Sequence, residues 1–79
     1  MYQRNDIILA VNILMITTRQ NIAKQVKEAR EKQKLTQAEV AKSAEITTTY
    51  YAMIERAEAN ANSDILGRIG KVLKISIKI

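Results

Sequence analysis

The side chains with most to offer another molecule stand in one short run, Thr47-Thr48-Thr49-Tyr50, with Met53 one turn further on. A hydroxyl both donates and accepts hydrogen bonds. On the leading end of a helix, Thr48, Thr49, Tyr50 and Met53 suit the edges of base pairs: threonine hydroxyls meet donors or acceptors, and threonine methyls meet thymine methyls. Tyr50 can bond a phosphate or a base, or simply pack. No Arg or Lys lies on that leading face. A bidentate guanine contact is therefore not expected, and A·T-rich or methyl-based readout is. Other chemistries are poorly served. The chain has no His and no Cys, which removes thiolate and imidazole zinc sites, disulfides and triad nucleophiles. Its carboxylates alternate with lysines on helix surfaces, and it has no Gly-rich phosphate loop. No enzyme, metal or cofactor is expected.

Two helices must position the run. Thr36 is the N-cap of the first, and Glu39 three residues later completes a capping box. Val40, Ala41 and Ala44 line one face at helical spacing. Ile46 is a lone apolar residue between the helices, and Thr47 caps the second. Tyr51 and Ile54 give that helix its apolar stripe, and the small Ala41 lets the two cross closely. Two helices at a steep angle across a short turn make a helix-turn-helix.

Leu35, Thr36, Gln37, Glu39, Val40 and Ala41, then Ile46 and Thr47, then Ile54-Glu55-Arg56, resemble the Cro/phage-repressor (Xre-type) helix-turn-helix family. The resemblance runs roughly over residues 22–75. It implies an all-α, four-to-five-helix repressor-like DNA-binding domain, with room for short terminal β-strands at a dimer interface. It implies that residues 47–56 form the recognition helix, and that Gln37 contacts backbone phosphate or braces a base contact. Lys34 and Lys42 flank Gln37 and are candidate phosphate partners. Arg30 and Glu55 lie where helices meet and are expected to pair structurally, as the family often does; Tyr51 falls at a core position. The family usually carries Gly where Glu45 and Ala57 stand and Pro near Ala61, so strain is expected at Glu45, where a left-handed conformation is needed.

The remainder of the 79 residues allows one small domain. The only aromatics are three Tyr, so the core is aliphatic, and a dimer interface would supplement it. Residues 1–6 are polar and expected to be loose. Residues 7–16 are apolar except for Asn12 and span about half a bilayer crossing. Their β-branched bias favours a strand, with a buried helix as the other form; Asp6 and the Thr17-Thr18-Arg19 sequence make a poor signal peptide. A natural start at Met15 would turn the first fourteen residues into upstream sequence. A helix is expected over residues 19–33, capped by Thr18, with Ile22, Val26 and Ala29 inward. Ser63 is expected to cap a last helix whose stripe is Ile65, Leu66, Ile69, Val72 and Leu73. Its Gly67 and Gly70 either allow a close contact or only weaken it. The division is thus an extension over 1–18, the helix-turn-helix domain over 19–73 and a strand over 74–79. In that strand Ile75, Ile77 and Ile79 face one way and Lys74, Ser76 and Lys78 the other. Unpaired strand edges need a partner; the choices are residues 7–16 or the same strand of a second copy.

The formal charge of +5 favours an anionic partner. Together with the motif it points to double-stranded DNA, bound by a homodimeric cytoplasmic repressor with no membrane association. Two neighbouring readings are an antitoxin whose main partner is a protein toxin, and a restriction–modification controller.

Overall fold

The computed structural model describes the backbone of residues 4–78 and the side chains of residues 18–78. Four helices succeed one another: α1 (Arg4–Lys32), α2 (Gln37–Ser43), α3 (Thr48–Glu55) and α4 (Ser63–Leu73). Among the described residues there is no strand. α1 packs on α3 and α4, and α2 packs on the same two. Val26 of α1, Val40, Ala41 and Ala44 around α2, Tyr51 and Ile54 of α3, and Ile69 and Leu73 of α4 form the core. It is aliphatic apart from Tyr51.

Several boundaries differ from those expected of the sequence. No helix begins at Thr18; α1 runs through that position from Arg4. The reason is local, since no Gly or Pro interrupts residues 4–32 and nothing else stops the ladder. Residues 7–16 are therefore helical rather than a strand; their side chains lie outside the described residues. Of the polar start expected to be loose, residues 4–6 belong to the helix and residues 1–3 lie outside the described residues. α4 is capped by Asn62 rather than Ser63: the Asn62 side-chain oxygen accepts from the Ile65 amide at 2.9 Å, which places Ser63 inside the first turn.

The tail also departs from expectation. Lys74 is left-handed and residues 75–78 carry no ladder. With residues 7–16 wound into helix, no strand among the described residues is left to pair with it. Burial still alternates, with Ile75 and Ile77 half-buried against the core and Lys74, Ser76 and Lys78 exposed. A side chain takes the place of a neighbouring strand: the Gln25 amide accepts from the Lys78 N–H at 2.9 Å and donates to the Lys78 carbonyl. Gln33 donates to the carbonyl of Leu73, the last residue of α4, answering an orphan of the helix end. Ile79 lies outside the described residues.

All four helices end on one backbone plan. Lys34, Glu45, Ala57 and Lys74 have φ of 58°, 60°, 59° and 58°. In each case the next amide reaches five residues back: Leu35 to Arg30 at 3.1 Å, Ile46 to Ala41 at 3.0 Å, Glu58 to Met53 at 2.9 Å and Ile75 to Gly70 at 2.9 Å. This is the Schellman closure, usually made by glycine. A non-glycine residue there costs about 1–2 kcal/mol. At three of the four ends the succeeding residue, Leu35, Ile46 or Ile75, is packed against the core, and that burial holds the turn. Neither glycine is used for a turn. A Cβ on Gly70 would lie 2.8 Å from the Ile75 carbonyl oxygen, whereas one on Gly67 would meet nothing within 4 Å. The close approach at Gly70 is thus to the returning tail, not to another helix.

Candidate nucleic-acid interface

α3 is fixed first by its cap. Thr47 is extended, at φ −73° and ψ 151°, and its hydroxyl oxygen accepts from the Tyr50 amide at 3.1 Å. At the start of α2, Thr36 accepts from Glu39 N–H at 3.0 Å while the Glu39 carboxylate accepts from Thr36 N–H at 2.9 Å. The Thr36 backbone N–H, and after it the Thr36 hydroxyl beside the carboxylate, hold the Glu39 carboxyl below its ordinary value. Two short helices, each marginal alone, thus begin at defined residues and are joined through Glu45 and Ile46.

The inner side of α3 is Tyr51, Ile54 and Glu55, all buried. Tyr51 has no exposed surface, so its assignment to the core holds. Glu55 is 8% exposed and sits in a polar network. Arg30 donates to it through Nε at 2.6 Å and through a terminal nitrogen at 3.0 Å, and also donates to the Leu35 carbonyl at 2.9 Å. Gln37 Nε2 adds a third donor to Glu55 at 3.0 Å. The arrangement joins α1, the turn after it, α2 and α3 through one carboxylate. Burial alone would raise the Glu55 carboxyl; the Arg30 bonds, the Tyr51 hydroxyl beside it and the Gln37 bond outweigh burial and hold it below the ordinary carboxylate range. Burial, then the neighbouring Glu55 carboxylate, push the Tyr51 phenol well above its usual range. Its hydroxyl lies in this network without completing a hydrogen bond.

The outer side begins with Thr48 and Thr49, both exposed, and continues into Tyr50, Ala52 and Met53, which are half-buried. The Tyr50 hydroxyl points across the helix exit and donates weakly to the Asn60 carbonyl at 3.4 Å. Thr47 is exposed, but its oxygen is engaged in the cap. Lys34 and Lys42 are exposed at the turn before α2 and in the last turn of α2; among the described residues neither joins an ion pair. Gln37 is half-buried, with its amide nitrogen on Glu55, which ties it to the brace of α3. Ile75 and Ile77, expected at a dimer interface, rest partly on the chain's own core.

Several polar side chains that position these elements give no signal in the sequence. Gln25 and Gln33 hold the tail, and Arg19 donates through Nε to the Asn60 side-chain oxygen at 2.6 Å. Their partners lie 53, 40 and 41 residues away, so no periodicity announces them. Among the described residues, no group of His, Cys, Asp or Glu could hold a metal, and no helix is long and apolar enough to cross a membrane.

No curated protein and no solved structure matches the chain. A helix-turn-helix family model matches residues 26–79, which include α2, α3, α4 and the last part of α1, from Val26 onward. With the capped pair α2–α3, the closed turn at Glu45 and the Arg30–Glu55 brace inside that match, the chain belongs to the Cro/phage-repressor (Xre-like) helix-turn-helix family of DNA-binding transcription regulators.

Proposed function

We propose that the chain is a sequence-specific repressor that lays α3 in the major groove of double-stranded DNA as a homodimer. The observation that carries this is the division of α3. Its large apolar and charged residues, Tyr51, Ile54 and Glu55, are buried, while Thr48 and Thr49 in its first turn are exposed. Residues in the first turn of such a helix reach base edges. Thr48 and Thr49 would meet bases through hydroxyl and methyl groups, with Tyr50 and Met53 at the flank of the contact and Lys34 and Lys42 on phosphates. Thr47 and Gln37 would act at the two helix starts, the first as cap and the second as brace. A two-fold dimer would set two copies of α3 about 34 Å apart, one DNA turn. Dimerisation is tested by mass in solution, with and without residues 75–79, the segment carrying Ile75, Ile77 and Ile79.

The double substitution T49A/Y50A tests the reading. Thr49 is exposed and Tyr50 is half-buried at the edge of the core, so the fold should survive with a lowered melting temperature, as checked by circular dichroism and melting. Specific binding to a duplex selected from random sequence by the wild-type chain should fall by about 1–3 kcal/mol for each base pair no longer read. Unchanged discrimination between selected and random duplexes would remove α3 from the contact. A second reading, an antitoxin held mainly by a protein toxin, draws support from the absence of any cation on α3. A stoichiometric co-purifying partner, with weak DNA binding in its absence, would favour it.

A further inference from the structure

The proposed reading face lacks its own cations. α3 carries no Lys or Arg. In the loop that leaves it, Arg56 is paired with Glu58 at 2.9 Å, and residues 57–62 contain no basic side chain. A helix seated in a major groove is bordered by phosphates, and phosphate neutralisation supplies most of the salt-dependent affinity. The loop nearest Tyr50 therefore needs a cation from elsewhere in the chain.

Arg19 supplies one. It lies in α1, before the first residue matched by the family model, and its Nε donates to the Asn60 side chain at 2.6 Å. The carbonyl of the same Asn60 accepts from the Tyr50 hydroxyl at 3.4 Å. Asn60 thus stands between Arg19 and the first turn of α3, and both Arg19 and Asn60 are exposed. Only one of the five guanidinium N–H groups is committed to Asn60. Among the described residues the two terminal nitrogens have no partner and Arg19 joins no ion pair. A guanidinium held by one edge, with the rest of its planar fork open, matches the geometry of a phosphate contact.

We propose that Arg19 is a DNA-phosphate contact of this chain, set at the rim of the reading face by Asn60. The inference rests on α3 entering the groove. It adds a helix segment that the family match does not reach, and it explains how an α3 without cations could still be seated by charge.

The experiment is a salt titration of binding to a random-sequence duplex, comparing the wild-type chain with R19Q, R19K, N60A and K71Q. Lys71 is an exposed lysine on α4 and controls for the loss of one charge. For R19Q the slope of log affinity against log salt should become shallower by about 0.9 per chain, and affinity at low salt should fall several-fold. R19K should keep the slope and lose part of the affinity. N60A should keep the charge, bind more weakly than wild type and melt normally. K71Q should leave the slope within error. If R19Q and wild type share one slope, or if K71Q matches R19Q, the proposal is overturned while α3 as reading helix stands. If the wild-type chain shows no salt-dependent binding at all, both readings fall together.

Discussion

At Glu45, before α3, and at Ala57, after it, the chain turns through the left-handed region with the same amide reaching five residues back. The two turns differ in the residue that comes next. After Glu45 it is Ile46, packed against the core; after Ala57 it is Glu58, tied by its side chain to Arg56. The entry to α3 is therefore held by apolar burial. The exit is held by polar contacts, Glu55 just before the turn and Asn60, through Arg19 and Tyr50, just after it. A helix that must present its first turn at one tilt benefits from this division. Burial fixes the end that reads, and the charged brace and loop contacts fix the other end without placing more apolar bulk near the proposed DNA surface.

The largest expected effect comes from breaking the exit. E55A leaves the Arg30 guanidinium, whose side chain is 14% exposed, without its partner, and removes the acceptor of Gln37. Loss of one member of a buried pair costs about 3–5 kcal/mol, measurable by urea unfolding. The same carboxylate gives the stability a pH dependence. Its folded value is below its ordinary one. The contribution is therefore fully present above the ordinary carboxylate range, near 4.5, and is lost as pH falls through the lowered value. The melting temperature should drop as pH is taken below the ordinary carboxylate value of 4.5. E55Q should flatten most of that drop. Glu39, lowered through the Thr36 cap, keeps a remainder of the same sign.

Next comes the entry. I46A should cost about 2 kcal/mol, in the range for losing a large apolar side chain from partial burial, and E58A should stay within about 0.5 kcal/mol. Equal costs at the two sites would erase the distinction between a packed and an unpacked turn. Only I46A should also weaken DNA binding beyond what its stability predicts, because it loosens the end of α3 that carries Thr48 and Thr49.

How much of this is legible in the sequence depends on the range of the interaction. Capping is local, so Thr36, Glu39 and Thr47 can be named from spacing alone. The core stripe of α2, α3 and α4 follows from helical period, and the Arg30–Glu55 pair from the family resemblance. The start of α1 is lost because an apolar, β-branched run can form either strand or helix and no breaker marks a boundary. The tail reads as a strand because alternation reports which side chains are buried, not what pairs with the backbone; a glutamine amide can take a strand's place. Asn62 and Ser63 are both good caps, and neighbouring candidates are resolved only by the dihedral angles. Arg19–Asn60 depends on the α3–α4 loop folding back to α1, which no local pattern encodes.

The smallest effects concern the turns themselves, and they separate backbone plan from side-chain finish. Each left-handed residue that is not glycine carries a steric cost, and glycine recovers it minus the added freedom of the unfolded chain. E45G should therefore stabilise by about 0.5–1 kcal/mol, since Glu45 is exposed and joins no ion pair among the described residues. A57G should gain less, because Ala57 is half-buried and its methyl gives up contact on removal. In α4 the reverse exchange applies. G67A enters open space and should stabilise by about 0.5–1 kcal/mol, whereas G70A brings a methyl within 2.8 Å of the Ile75 carbonyl and should destabilise. If E45G and A57G gave the same gain in melting temperature, the half-buried methyl of Ala57 would contribute no more to its turn than the exposed side chain of Glu45 does. The difference between the two turns would then lie wholly in Ile46 and Glu58.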